Sequence, residues 1–251
     1  MGTIRVGIGG WTYPDWRGLF YPEGLPHARE FGHAVASFGA IEINATFYGR
    51  QKPASWAKWG KSVPPGFQFS VKGSRYVASR PKLADAGDGI AQFLDQGLVA
   101  LGDALGPILW LFSERRRFDP DDWARFFELL PDRLGEHTLR HAVDVRHESF
   151  ADDRFCDLAR AHNVAVVTGD SEDFGLIDVQ TADFRYARLQ RMRDEVETGY
   201  DEAGLDQWAA RARDWASAGD AYVFMINGAK RRAPAAALAL QARLGLGKAT
   251  A

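Results

Sequence analysis

Short apolar runs alternate along the chain with longer segments in which apolar residues recur every three or four positions. Short runs bounded by turn residues are typical of strands, and the longer spacing is typical of amphipathic helices. Several runs are apolar at nearly every position, as expected of strands that are covered on both faces. The pattern predicts eight strands, at residues 4–9, 40–44, 68–72, 108–112, 142–146, 164–168, 184–189 and 221–226.

The segments between these strands carry helical patterns. Apolar residues at three- and four-residue intervals predict one continuous helix over residues 90–104. Asp119-Pro120 predicts the start of the next helix, with Asp119 as its N-cap and Pro120 in the first helical position. Further helices are predicted around residues 155–159, at 205–215 and at 234–246.

Strands that alternate with helices over 251 residues indicate an α/β protein, and we predict a TIM-like (β/α)₈ barrel. It forms a single domain over residues 1–251, in which 247–251 are expected to be a frayed tail. The alternative is a doubly wound open sheet, which would place a glycine-rich phosphate loop after the first strand. The sequence there, Gly7-x-Gly9-Gly10, lacks the third glycine of the dinucleotide-binding fingerprint.

Composition and charge narrow the range of partners. The formal net charge is −2, so the protein as a whole does not attract nucleic acid through an overall positive charge. Nucleic acid is a partner only if it binds a local basic patch. The single cysteine, Cys156, has no partner for an internal disulfide. The sequence shows no signal peptide and no apolar run of about 18 residues, so we expect a cytoplasmic protein with no membrane partner. No oligomeric state is predicted.

Polar side chains follow most of the predicted strands at their carboxyl ends, where barrels of this kind build their sites. Alternation along the second strand directs Glu42 and Asn44 toward the barrel interior or its mouth. Lys72 ends the third strand and is expected to form a structural ion pair with Glu42. A desolvated lysine is also suited to binding an anion or to forming a Schiff base.

Four residues are predicted to be catalytic: Glu42, Lys72, Asp144 and His147. Two carboxylates in different surroundings can divide the roles of acid and base, and a histidine beside them titrates near neutrality. The aromatic loop after the first strand is either a binding wall or a plug in the barrel mouth. The predicted substrate-binding residues are Trp11, Tyr13, Asn44, Thr46, Tyr48, Arg146, Asp170, Arg188 and Asn227.

Two stretches of positive charge lie in loops, at residues 115–117 and 228–232. Loops late in a barrel often hold phosphate, although runs of this length are more typical of solvated loops.

Three functions fit these residues. The first is an enzyme that performs acid–base chemistry of a hydrolase or lyase type on a phosphorylated or sugar-like ligand, anionic or polyhydroxylated. The second is a hydrolase or nuclease that holds Mg²⁺ or Mn²⁺ through Glu42, Asp144, His147 and Asp170, although the sequence requires no cofactor. The third is a non-catalytic module that stacks a nucleotide or nucleic-acid end on Trp11, Tyr13, Trp16 and Tyr48.

Ordered aromatic and glycine landmarks along nearly the whole chain resemble the YecE-like family, also called domain of unknown function 72. The matching stretches are Gly7-Ile8-Gly9-Gly10-Trp11-x-Tyr13-x-x-Trp16, Phe20-Tyr21-Pro22, Glu42-Ile43-Asn44-x-Thr46-Phe47-Tyr48, Arg146-His147-x-Ser149, Tyr186-x-Arg188-Leu189 and Ala233-Pro234. The resemblance implies a TIM-like barrel in the cytoplasm and no particular reaction. The chain departs from the family pattern at Leu111, Ser113, Asp144, Gln190, Arg191 and Ile226.

Overall fold

Eight parallel strands form the centre of the protein in a computed structural model that describes residues 1–171 and 177–247. The strands are β1 (Ile4–Gly9), β2 (Ala40–Ile43), β3 (Gln68–Lys72), β4 (Leu105–Leu111), β5 (His141–Asp144), β6 in two pieces (Val164–Val166 and Thr168–Gly169), β7 (Phe184–Leu189) and β8 (Asp220–Met225). β1, β3 and β7 have the predicted bounds, and the other strands differ from the prediction by a few residues.

The sheet closes into a barrel through β6. The first piece of β6 pairs with β5, where Val164 lies beside His141, and the second pairs with β7, where Thr168 lies beside Ala187. β1 pairs with both β2 and β8. Within the described part of the chain every barrel strand therefore has two parallel neighbours, and the predicted TIM-like (β/α)₈ barrel is confirmed.

Helices lie between the strands and cover the outside of the barrel. They are α1 (His27–Ser37), α2 (Ala45–Tyr48), α3 (Pro53–Lys61), α4 (Arg75–Ala78), α5 (Gly87–Leu94), α6 (Pro120–Glu128), α7 (Asp153–Ala161), α8 (Glu202–Ala218) and α9 (Ala233–Leu244). A small hairpin, Arg133–Leu134 with His137–Thr138, lies between α6 and β5. Of the predicted tail, residues 248–251 lie outside the described residues.

The continuous helix predicted over residues 90–104 is wrong. α5 ends at Leu94, and a 3₁₀ segment, Leu98–Ala104, follows it. Gly97 between them has a φ of 109°, a left-handed conformation that cannot continue an α-helix. Apolar residues of both segments are buried against the core. The three- and four-residue spacing of apolar residues therefore continues through Gly97, although the helix does not.

Side chains alternate along the strands between an interior cluster and the layer beneath the helices. In β8, Tyr222 and Phe224 belong to the interior cluster, whereas Val223 and Met225 belong to the outer layer. On β7 the same period of two places Arg188 on the interior face. The interior is thus partly polar at the end of the barrel where the strands finish.

Replacing Asp119 by alanine should lower the free energy of unfolding by about 1 kcal/mol. The Asp119 carboxylate accepts hydrogen bonds from the backbone amides of Asp121 and Asp122 and caps α6, as predicted. Urea unfolding measures the loss. Asp121→Ala is the control, because Asp121 is exposed and caps nothing; an equal loss in both variants would contradict the capping role.

Candidate functional site

A buried ion cluster centred on Arg188 spans the barrel below its mouth. Arg188 Nε and Nη2 donate to the two carboxylate oxygens of Glu42, each at 3.1 Å, and Nη1 donates to Asp144 Oδ2 at 2.5 Å. The Tyr186 hydroxyl donates to Glu42 at 2.8 Å and contacts the Ser70 hydroxyl at 2.7 Å. One guanidinium therefore binds carboxylates from two strands on other sides of the barrel, β2 and β5.

The surroundings of this cluster keep Arg188 charged. Burial opposes the charge, but the carboxylates of Glu42 and Asp144 outweigh it and hold the pKa of Arg188 above its ordinary value. Burial and the Glu42 carboxylate raise the pKa of Tyr186 well above its ordinary value, so this hydroxyl stays protonated and acts as a donor. The cluster is a set of matched charges and hydrogen bonds, as buried charges require.

This geometry does not support the acid–base roles expected of Glu42 and Asp144. Both oxygens of Glu42 are occupied, and its side chain is fully buried. Asp144 is bound by Arg188 and also accepts a hydrogen bond from Arg146 Nε at 3.4 Å. A carboxylate needs a free oxygen near the substrate in order to move a proton.

Lys72 does not form the expected ion pair with Glu42, because Arg188 occupies that carboxylate. The Lys72 side chain is 7% exposed, and Nζ lies 4.4 Å from the centroid of the Phe47 ring. It makes no hydrogen bond or ion pair within the described residues. Burial lowers the pKa of the Lys72 ammonium from 10.5 to about 8, with Glu42 opposing the shift and Arg188 adding to it.

A cavity of about 310 Å³ lies above the ion cluster, at the carboxyl ends of the strands; we call it the mouth cavity. Four cationic side chains line it, and its described lining contains no Asp or Glu. The lining residues are Gly9, Tyr13, Trp16, Asn44, Tyr48, Lys72, Leu111, Arg146, Arg188, Met225, Ile226, Asn227, Lys230 and Ala233. Glu42 and Asp144 stand behind this lining and pair with Arg188 and Arg146, whereas Lys72 and Lys230 form no ion pair within the described residues.

The mouth cavity brings together seven of the predicted residues: Tyr13, Asn44, Tyr48, Lys72, Arg146, Arg188 and Asn227. Lys230 also lines the cavity, with Nζ 3.9 Å from the centroid of the Tyr13 ring, and was not predicted as a site residue. The positive stretch after the last strand was the available signal for it. Trp16, 1% exposed, anchors this loop by donating from Nε1 to the Lys230 carbonyl at 2.9 Å.

Three predicted residues have structural surroundings instead. Trp11 packs its ring edge-on against Phe31 and Trp59. The Thr46 hydroxyl is buried and donates to the Ile43 and Lys72 carbonyls, at 3.0 and 2.6 Å. His147 caps a short 3₁₀ turn by accepting a hydrogen bond from the Ser149 amide. The substrate-binding roles of Trp11 and Thr46, and the catalytic role of His147, find no support in this geometry.

A second cavity, of about 910 Å³, extends over the loops after β6, β7 and β8, and Arg146 and Asn227 line both cavities. Asp170 lies in this second cavity, where it accepts hydrogen bonds from the Tyr200 hydroxyl and the Gln190 amide, both at 2.5 Å. Burial raises the pKa of Asp170. Asp170, predicted to bind substrate, is therefore outside the mouth cavity.

The residues expected for the other two functions are only partly brought together within the described part of the chain. Across residues 1–171 and 177–247 no group of three or more His, Cys, Asp or Glu side chains is placed to hold a metal ion. Of the four aromatic residues expected to stack a nucleotide, Trp16 is buried and Trp11 is packed in its aromatic cluster, whereas Tyr13 and Tyr48 line the mouth cavity. The described part of the chain contains no helix that is long and apolar enough to cross a membrane.

Comparison with known proteins agrees with the architecture. A crystal structure of a DUF72 family protein from Enterococcus faecalis superimposes with a TM-score of 0.78 at 16% identity, covering 98% of this chain and 96% of that one. A DUF72 family protein from Thermotoga maritima gives a TM-score of 0.75 at 22% identity, with 95% and 97% covered. No curated protein matches the sequence. The family described as "Protein of unknown function DUF72" matches residues 5–251, and this chain therefore belongs to the DUF72 family.

Proposed function

We propose that this protein is an enzyme that acts on a small molecule bearing a phosphate or carboxylate group, and that the mouth cavity binds this group. The observation that carries the proposal is the charge of the cavity wall: Lys72, Arg146, Arg188 and Lys230 line it without an acidic neighbour among the described lining residues. Enzymes with this fold have their active sites at the same end of the barrel.

The cations of the mouth cavity differ in how strongly they are already bound. Arg188 donates three of its five N–H groups to Glu42 and Asp144, and these carboxylates offset its charge, so Arg188 is less available to an oxyanion than Lys72. The Lys72 ammonium makes no hydrogen bond within the described residues, so it is available to an oxyanion. A buried ammonium has lost the water that solvates it. Hydrogen bonds from this ammonium to an anion compensate for that loss, and such charge-assisted hydrogen bonds are strong.

The size of the mouth cavity favours a small ligand. About 310 Å³ is near the lower end of the range for ligand pockets, so it suits a metabolite better than a polymer. Asn44 and Asn227 place neutral polar groups in the same wall, and Tyr13 and Tyr48 add two aromatic rings. Neutral amides and aromatic faces are suited to the uncharged, hydroxylated part of a sugar phosphate or sugar acid.

Sulfate binding tests the proposal, because sulfate carries the charge and shape of the anionic group alone. We expect calorimetry to show binding that Lys72→Met weakens by about tenfold or more, since it removes a buried charge-assisted contact. Lys230→Met should weaken binding by a smaller factor, because Lys230 is exposed and solvent screens its charge.

Lys58→Met is the matched control, because Lys58 is exposed on α3 and lines neither cavity. Its affinity for sulfate should equal that of the unmodified protein. If sulfate does not bind, or binds equally to the Lys72→Met and Lys58→Met variants, the mouth cavity is not an oxyanion site and the proposal is wrong.

A further inference from the structure

We propose that Lys72 reacts as a primary amine with an aldehyde or ketone that carries a phosphate or carboxylate, and holds it as an imine. This inference rests on the proposed function, because the oxyanion site is what brings the carbonyl compound to the amine. It names the substrate class of the mouth cavity and gives Lys72 a covalent role.

The position of Lys72 suits a nucleophile. Its stem is buried, its amine lies at the end of β3 in the wall of the mouth cavity, and within the described residues no carboxylate holds it. Arg146 and Arg188 line the same small space. Desolvation and neighbouring cations are the two means by which proteins keep a reactive lysine partly neutral.

The acidity of the amine agrees with this geometry. A pKa of about 8 leaves roughly one lysine in ten neutral at pH 7, against fewer than about one in a thousand for an ordinary lysine. The neutral amine is the form that attacks a carbonyl carbon. The protonated form binds a simple oxyanion such as sulfate. When neutral Lys72 attacks the carbonyl, Arg146 and Lys230 of the same wall bind the anionic group of the substrate instead.

Asn44 is placed to orient the carbonyl compound. Asn44 lines the mouth cavity, as Lys72 does, and its side chain makes no hydrogen bond within the described residues. Gly9 leaves the space around it open, since a Cβ at Gly9 would lie 3.1 Å from Asn44 Nδ2 and 2.6 Å from Ile226 Cδ1. An amide in this position can donate to a carbonyl oxygen without adding charge.

The reaction balances without a further reactant. Lys72 Nζ forms a bond to the carbonyl carbon, and the carbonyl oxygen takes up a proton, which gives a carbinolamine. The amine proton and this hydroxyl then leave as one water molecule, and a carbon–nitrogen double bond remains. When that nitrogen is protonated, the imine attracts electrons from the adjacent carbon–carbon or carbon–hydrogen bond, which fits lyase-type chemistry.

Reductive trapping with glyceraldehyde 3-phosphate and sodium cyanoborohydride tests the inference. Cyanoborohydride delivers hydride to the imine carbon and converts the imine into a stable secondary amine on the lysine. The chain has seven lysines, so peptide mass spectrometry can assign the modified one. We expect Lys72 to be labelled about tenfold or more faster than exposed Lys58 and Lys82, and sulfate to slow only the labelling of Lys72.

Glyceraldehyde without the phosphate is the control reagent, and it should label Lys72 with little preference because it lacks the anion. Lys72→Arg should remove the fast site and leave the slow labelling of the other lysines unchanged. Labelling of Lys72 that is no faster than that of exposed lysines, or that sulfate does not slow, would overturn the inference. If sulfate binds but Lys72 is not trapped, the inference fails while the proposed oxyanion site stands.

Discussion

Replacing Arg188 by methionine is expected to lower the free energy of unfolding by about 3–5 kcal/mol at pH 7. Methionine fills much of the same space, but it leaves Glu42 and Asp144 buried without their shared cation. The side chains of Glu42 and Asp144 are 0% and 9% exposed, so water cannot replace the lost bonds. The deficit should shrink as the pH falls, because the unpaired carboxylates of the variant can take up protons.

Urea unfolding of four proteins gives the measurement: the unmodified chain, Arg188→Met, Glu42→Gln and the double variant. The double variant should be more stable than Arg188→Met alone, because it buries one charge fewer, and the cycle isolates the coupling between the two residues. Arg125→Met is the matched control, since Arg125 forms an exposed ion pair with Glu128. A loss below about 1 kcal/mol in Arg188→Met would contradict the structural role of the cluster.

Sulfate affinity should fall about 30-fold between pH 7 and pH 9.5, a change of roughly 2 kcal/mol. The sign follows from Lys72: sulfate binds the ammonium, and the pKa of about 8 means that this form is abundant at pH 7 and scarce at pH 9.5. Sulfate itself keeps its charge throughout this range, so the profile reports the protein. Calorimetry at half-unit intervals of pH measures it.

Lys72→Arg is the control for the pH profile, because arginine does not lose its proton in this range. Its affinity should stay nearly level between pH 7 and pH 9.5. A profile in Lys72→Arg as steep as that of the unmodified protein would show that other groups cause the change. A level profile in the unmodified protein would contradict the lowered pKa of Lys72.

The barrel architecture could be predicted because buried strands appear in the sequence as short apolar runs between polar or turn residues. β3 lies between Gly66 and Gly73 and alternates apolar Phe69 and Val71 with polar residues, so its ends could be read directly. The break at Gly97 could not, because one glycine within a regular apolar spacing has no distinct local pattern. Its left-handed conformation depends on how residues 98–104 pack, and packing involves residues far apart in the sequence.

Seven residues that line the mouth cavity were named from the sequence, but the ion pairs of the buried cluster were not. Alternation fixes which face a side chain occupies, and it correctly placed Glu42 and Asn44 at the barrel interior or mouth. It does not say how far a side chain reaches across the barrel. A planar guanidinium can serve two carboxylates at once, which an ammonium does less well, so Arg188 took the partner expected for Lys72.

The pairing of β1 with β8 has a consequence for how the chain folds during synthesis. β1 leaves the ribosome well before β8, and one of its edges stays without a partner until residues 220–225 have been made. An exposed strand edge promotes aggregation, and contacts between distant residues form slowly. We therefore expect chains truncated before Asp220 to aggregate, which sedimentation of nascent fragments of increasing length would reveal.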